Sequence, residues 1–506
     1  MSVWGGYVRP KIWVLTALLT AACSTAPETP ATSLPTFPRL AAQETFAMGF
    51  DNISRKHLEA VSVEAIALEG MKGLASIDPE LSVNKTGDSI NVRRGDEVVA
   101  RLPLPKGKDA GSWAALTVNA SLAGRSHSTE LRQASTEKIY EAVFDGALSS
   151  LDIFSRYAGA EEAKKNRSKR DGFGGIGISF RLRDGHFVIV SVMEGTPAGK
   201  AELLKDDRIT HIDGVSVAGL KLKEVTKKLR GPLKSKVSLT VSRKTAAIPF
   251  NVHLVRAHVV AATVFEKIDN GVIVLRIKSF NQDTTRSLRK KFDKLRSQLG
   301  ARFRGVILDL RGNPGGLLRQ AIKIADLFLV QGEIINTRGR HPDSLQHYEA
   351  SGDDLAFGYP MAILVDGKSA SAAEVLAAAL QDRGRAVVIG TASYGKGTVQ
   401  TVIRLPNEGE ITLTWSRLLA PSGYVLHNLG VLPVICTSGR AKADSGLLTS
   451  MLDRRDKTAE NLAAWRKTDY TDEIERRRLR KTCLPERHRK SVELDVARRL
   501  ILNRPL

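Results

Sequence analysis

Residues 361–400, MAILVDGKSASAAEVLAAALQDRGRAVVIGTASYGKGTVQ, constrain the fold more than any other part of this chain. The apolar run 361–365 reads as a buried strand, closed by a turn at Asp366, Gly367 and Lys368. An alanine-rich helix follows over 372–381, then a second apolar strand over 385–389. Lys396 lies between Gly395 and Gly397, and a third strand begins at Thr398. Strand, helix and strand in such quick succession demand a layered α/β core. The same stretch sets Ser371 at a helix N-terminus and Lys396 on a tight turn between strands.

The alternation extends upstream. Residues 272–277 read as a strand, and 284–299 as a helix with Leu288, Phe292 and Leu295 on one face. Residues 305–310 read as a buried strand, followed by the glycine-rich turn Arg311-Gly-Asn-Pro-Gly-Gly316 and a helix over 317–329. This α/β unit is placed at 259–436. At 506 residues the chain has room for about two to four domains. Residues 44–171 read as a mostly helical region, with a hairpin over 88–104 turning at Arg94, Gly95 and Asp96. Two segments there, 66–78 and 143–152, echo each other in ending a helix at an Ile/Leu-Asp step. The charged stretch 159–171 marks a boundary. Residues 172–258 form a compact unit of strands, and 437–506 a basic, helical tail that is open to reading as a packing arm, a dimer contact or a lid.

The fold class is therefore α/β and multidomain. The net charge of +22 comes from scattered basic residues, densest at 475–481. No aromatic residues interleave with that run, so it lacks a base-stacking surface; it reads as a solvated helix face, and no nucleic-acid partner is expected. The cysteines, three in all, are too few for a stapled scaffold or a zinc cluster. Cys23 follows Arg9, Lys11, a short apolar segment at 12–19 and the small residues Thr20, Ala21 and Ala22. That pattern reads as a signal peptide over 1–22, too short in its apolar part to span a bilayer. It resembles a bacterial lipoprotein signal, with Cys23 as the lipidated residue, although Thr20 stands where leucine is usual. Residues 23–43 read as a flexible tether. The expected location is the bacterial periplasm, with a lipid anchor in the membrane. Export leaves a disulfide open between Cys436 and Cys483.

Ser371 begins Ser-Ala-Ala-Glu374, a capping-box pattern, and Ser369 is an equal candidate for the cap. A capping role alone would explain either serine. No Gly-x-Ser-x-Gly elbow occurs, and no histidine sits in a motif suggesting a triad base. The remaining base for a nucleophilic serine is Lys396, which takes a proton only if burial lowers its pKa from about 10.4 toward about 7–8. Backbone amides at Gly316 and at Ala372, beside the serine, are placed to stabilise an oxyanion. Residues 390–396 also match most of a phosphate-binding loop, but Gly397 stands where Ser or Thr must hold magnesium, and a strand follows where a helix is needed.

Residues 126–433 together resemble the carboxyl-terminal processing proteases, also called tail-specific proteases. The resemblance rests on Leu148-Ser-Ser-Leu-Asp152, Ile277-Lys-Ser-Phe280, Leu308-Asp-Leu-Arg-Gly-Asn-Pro-Gly-Gly316, Ser369-Ala-Ser-Ala-Ala-Glu374 and Tyr394-Gly-Lys-Gly-Thr-Val-Gln400. It implies Ser371 as nucleophile, Lys396 as general base and Gln400 as the residue orienting the lysine. Residues 172–258 resemble a circularly permuted PDZ domain, through Gly174-Gly-Ile-Gly-Ile178, Glu194-Gly-Thr-Pro-Ala198 and Ile212-Asp-Gly214. Asp206 replaces the usual glycine at one turn, where a small loop change is expected. The PDZ resemblance implies that Gly175, Ile176, Gly177 and Ile178 receive the free C-terminus of a protein or peptide substrate by strand addition. No metal or cofactor is implied. An adaptor or activator protein and a homo-oligomer stay open. The expected function is an exported serine endopeptidase with a Ser-Lys mechanism; the alternative is a catalytically silent, peptide-binding scaffold.

Overall fold

The computed structural model describes residues 36–440, 455–488 and 491–502. The signal segment 1–22, Cys23 and most of the 23–43 tether lie outside the described residues. The helix Arg39–Lys56 begins inside the stretch read as a tether. Ala42 is buried, and its amide donates to the Pro38 carbonyl at 2.9 Å, so the helix runs back as far as the proline.

The main sheet runs in the order Val264–Asp269, Val272–Ile277, Gly305–Asp309, Met361–Val365, Val387–Gly390, Ile435–Cys436. The first pair is antiparallel and the others are parallel. Parallel strands need cover on both faces, which is why these segments read as unbroken apolar runs. On one face Leu275, Leu308, Ile363 and Val365 pack in a core with the helices Thr284–Leu299, Leu318–Asp326 and Ala372–Asp382. On the other, Val274, Ile307, Ala362 and Leu364 pack with Val492, Val496, Ala497 and Ile501 of the helix Ser491–Leu502. Strand residues thus alternate between the two cores with the period of the pleat. The C-terminal segment is a packing arm that completes the sandwich. Cys436, on the last strand, is disulfide-bonded to Cys483, with a Cα–Cα distance of 6.0 Å.

A second sheet runs Gln346–Ala350, Gly332–Arg338, Glu410–Leu419, Thr398–Arg404. The short strand Arg156–Ala158 also pairs with Glu410–Leu419 and so ties the end of the N-terminal region to the partner of the strand that follows Lys396. That N-terminal region is less purely helical than its sequence suggests. The hairpin is part of a meander of Leu81–Thr86, Ser89–Arg94 and Glu97–Pro103. The helix Ala110–His127 carries no clean apolar stripe, because it is buried on several sides through Trp113, Leu116, Val118 and Ala120. The charged boundary is the helix Ala160–Asp171, docked by Arg167 and Arg170 onto the buried Glu410 carboxylate at 3.0 Å each.

The 172–258 unit holds a sheet ordered Phe250–Val255, Lys236–Ser242, Arg208–Ile212, His186–Val192, Ile178–Arg183. Its core joins Ile209, Leu239, Val225 and Leu229. Ile178–Arg183 is an edge strand of this sheet. Asp206 takes φ 73°, the left-handed conformation for which glycine is the usual choice and which Asp tolerates better than most residues. Its neighbour Asp207 is buried and paired with Arg243 at 2.7 Å.

Candidate active site

Ser371 stands at the N-terminus of the helix Ala372–Asp382 with φ 56° and ψ −118°. A non-glycine residue with that backbone carries strain, and strain of this kind concentrates where a side chain must be presented in one direction. Ser369 does not compete for the role. Its hydroxyl is buried and donates to the Leu310 carbonyl at 2.9 Å.

The group that joins the serine to the lysine is Glu374. It is fully buried among the Ala, Val and Leu residues of 372–380. Its carboxylate reaches back to accept the Ser371 amide at 2.7 Å. It also accepts the Ser393 hydroxyl at 2.5 Å, the Gly395 amide at 2.6 Å and the Lys396 amide at 2.9 Å. Burial pushes its pKa above the ordinary carboxylate value, and these donors work against that rise. One carboxylate therefore sets the backbone of both residues. Gly397 must be glycine for the same turn, since a Cβ there would collide with the backbone of His427.

Lys396 is partly buried, which lowers its pKa; the nearby Arg156 charge lowers it further, while Asp152 and Glu374 act in the opposite sense. Its ammonium lies over the Phe154 ring, 4.8 Å from the centroid. Among the described residues it makes no hydrogen bond to the Ser371 hydroxyl. Gln400 directs its amide to the hydroxyls of Thr398 at 2.9 Å and Thr414 at 3.3 Å, and not to Lys396. Thr414 in turn donates to Asp152 at 2.9 Å. Asp152 also accepts from Ser155 at 2.6 Å and contacts His57 at 3.2 Å. Burial disfavours its charge, but the hydrogen bonds from His57, Ser155 and the Phe154 amide outweigh that and hold the carboxyl well below its usual range. A cavity of about 520 Å³ opens here, lined by His57, Leu58, Ile153, Phe154, Tyr394 and His427 among others.

The turn 311–316 lies against the serine. A Cβ on Gly315 would come within 2.9 Å of the Ser371 Cβ and 3.2 Å of the Ala372 nitrogen. Gly316 follows in the same turn, and neither its amide nor that of Ala372 donates to a backbone carbonyl among the described residues. Arg311 anchors the turn through Asp309 at 2.8 Å and through Glu493 of the C-terminal helix at 2.9 Å. The segment after Lys396 is the strand Thr398–Arg404, not the helix that a phosphate-binding loop would open. Among the described residues no cluster of three His, Cys, Asp or Glu side chains is arranged to hold a metal ion.

In the 172–258 unit, Gly175 ends the strand Phe173–Gly175, Ile176 is buried, Gly177 turns and Ile178 opens the edge strand. The Ile176 and Gly177 amides donate to no backbone carbonyl among the described residues, while their carbonyls accept from Ala198 and Met193 at 2.8 Å each.

The profile of peptidase family S41 matches residues 271–436, and that of the PDZ domain matches 174–254. A carboxy-terminal-processing protease of Bartonella bacilliformis is 38% identical over 301 residues, covering 59% of this chain and 69% of that protein. This chain belongs to the carboxy-terminal-processing proteases of peptidase family S41. A carboxy-terminal processing protease of Bacillus subtilis is 32% identical over 302 residues, 59% of this chain and 64% of its own length. The chain thus spans about two thirds of these relatives. Among solved structures, a photosystem II D1 C-terminal processing protease aligns at 22% identity over 80% of this chain and 95% of that one, with a TM-score of 0.39. Family S41 membership makes this a serine-type protease, and the match over 174–254 gives it a PDZ domain.

Glu374, Asp152 and Phe154 carry more of the site than sequence reasoning assigned them. Glu374 had a signal: an acid set within the apolar run 372–380 is buried, and a buried acid has partners. Asp152 closes the 148–152 motif, but nothing in the sequence tied it or Phe154 to Lys396, because both reach the site through the pairing of distant strands.

Proposed function

We propose that this S41 protease is an exported endopeptidase that uses Ser371 as nucleophile and Lys396 as general base, on substrates held by their free C-terminal tail. The observation that carries this reading is the Glu374 carboxylate, which fixes the backbone of Ser371 and Lys396 together. Neutral Lys396 takes the Ser371 proton as the hydroxyl oxygen attacks the scissile carbonyl. The Gly316 and Ala372 amides stabilise the oxyanion, a contribution of about 3 kcal/mol per donor. The lysine ammonium then returns its proton to the leaving amine, leaving an acyl-enzyme that water hydrolyses. Lys396 must leave the Phe154 ring to do this. The edge strand Ile178–Arg183 and the amides of Ile176 and Gly177 suit an added peptide strand ending in a carboxylate. The cysteine pair supports an oxidising compartment, and Cys23 would supply a lipid anchor there.

The separation of Lys396 from Ser371 is also what a silent scaffold would show, so the decisive experiment measures turnover. An unstructured reporter with an apolar C-terminus is expected to be cut by the wild type, and not by Ser371→Ala or Lys396→Ala. Amidating the reporter's tail should suppress cleavage. Cleavage by Ser371→Ala would remove the nucleophile assignment; equal cleavage of the amidated reporter would remove tail recognition. Tail binding without turnover by the wild type would leave the scaffold.

A further inference from the structure

The basic run 475–481 reads as a solvated face, and only part of it is. The helix Glu473–Arg480 exposes Arg477 and Arg478, which pair with Glu473 and Glu475 on the helix itself. Arg476 and Arg480 point inward. Arg476 is 2% exposed and donates to the carbonyls of Val425, at 2.9 Å, and His427. Arg480 donates to the carbonyls of Leu429 at 2.5 Å and Ser393 at 3.0 Å. Ser393 is the residue whose hydroxyl meets Glu374, and Leu429 lies in the loop that backs the lysine turn: the Asn428 amide donates to Gly395 at 2.9 Å and the Val431 amide to the Ser393 hydroxyl at 2.8 Å. A Cβ on Gly395 would touch the Arg480 guanidinium at 3.2 Å. Its planar fork therefore spans both walls of the turn that carries Lys396, next to the Glu374 charge.

We propose that Arg480 is a positioning residue for Lys396, delivered from the C-terminal segment and kept in register by the Cys436–Cys483 disulfide. The disulfide lies three residues after Arg480 and ties this helix to the last strand of the main sheet. The helix Arg455–Lys467 adds a second hold, with Trp465 donating to the Gly430 carbonyl at 3.1 Å and Arg466 paired with Asp382 at 2.7 Å. On the serine side, the Gly367 amide donates to the Glu486 carbonyl at 2.7 Å. A tail outside the α/β unit thus completes the setting of its base. The inference rests on the Ser371–Lys396 reading.

The test uses the full chain and the apolar-tailed reporter. Arg480→Ala is expected to lower kcat on the order of 100-fold, the scale of a base displaced by about 1 Å, with KM changed less than about twofold. Guanidinium ion added to Arg480→Ala should restore several-fold of the loss, and Arg480→Lys should fall between the two. Arg477→Ala, on the exposed side, should match the wild type. Cys436→Ser/Cys483→Ser, and the wild type treated with dithiothreitol, should show the same kcat loss while still folded by circular dichroism. Arg480→Ala with wild-type kcat would overturn the proposal. So would a kcat loss that tracks thermal stability across the variants and is not rescued by guanidinium, which is a structural role alone. If Ser371→Ala still cleaves, the underlying dyad fails, and that result is distinct from any behaviour of Arg480.

Discussion

At the residue scale the proposed Ser371–Lys396 mechanism requires Lys396 to be neutral when it acts. Burial lowers its pKa, and the Arg156 guanidinium lowers it further. A general base that must be unprotonated gives a rate that rises with pH along one limb through its pKa. Replacing Arg156 by Gln removes a charge that opposes the ammonium, so the lysine pKa rises and the limb moves to higher pH. The measurement is kcat/KM against pH for the wild type and Arg156→Gln. An unmoved limb would detach Arg156 from the base. Ser371 was legible as a helix-start serine beside small residues, but its strained φ of 56° was not, because a capping box by itself calls for ordinary extended backbone.

At the element scale, one side chain on the helix Ala372–Asp382 holds two turns together. Glu374 was legible as the far end of a capping box; its contacts to Ser393, Gly395 and Lys396 were not, because they join residues about twenty positions apart. Glu374→Gln keeps the shape but offers one acceptor oxygen where two now serve four donors, and turns its NH2 toward N–H groups. The expected cost is about 3 kcal/mol of stability, measured by urea unfolding, together with loss of turnover. Retention of both would mean that the turns hold themselves. The PDZ unit shows the opposite balance. Its strands, turns and glycine-rich loop were readable in order, since each depends on local alternation and turn chemistry. Asp206 stood out in the sequence as a departure from the glycine usual at that turn, and the structure shows it taking the positive φ that a glycine would.

At the scale of the whole molecule, the chain closes on itself. The helix Ser491–Leu502 covers one face of the main sheet, and Glu493 on it grips Arg311 in the turn beside the serine. Ile501 is 3% exposed in that core. Ile501→Ala should cost about 2–4 kcal/mol in urea unfolding while leaving kcat/KM of the folded enzyme unchanged. An unaltered midpoint would show that the helix does not carry the sheet. The sequence of 437–506 showed charge and helical pattern but no role, since a helix with a modest apolar stripe looks alike whether it packs on its own sheet, on a partner or on nothing.

By itself the sequence determined the alternation of the α/β unit, the PDZ unit, and a serine and a lysine on neighbouring turns. These follow from local periodicity, from glycines at sharp turns and from short motifs whose chemistry is local. Only the tertiary structure decided that Glu374 links those turns, that Phe154 and Asp152 reach the lysine from the N-terminal region, and that Arg480 and Glu493 reach the site from the C-terminal one. Those contacts depend on which faces the sheets leave uncovered and on which distant segments cover them. No local pattern in the chain carries that information.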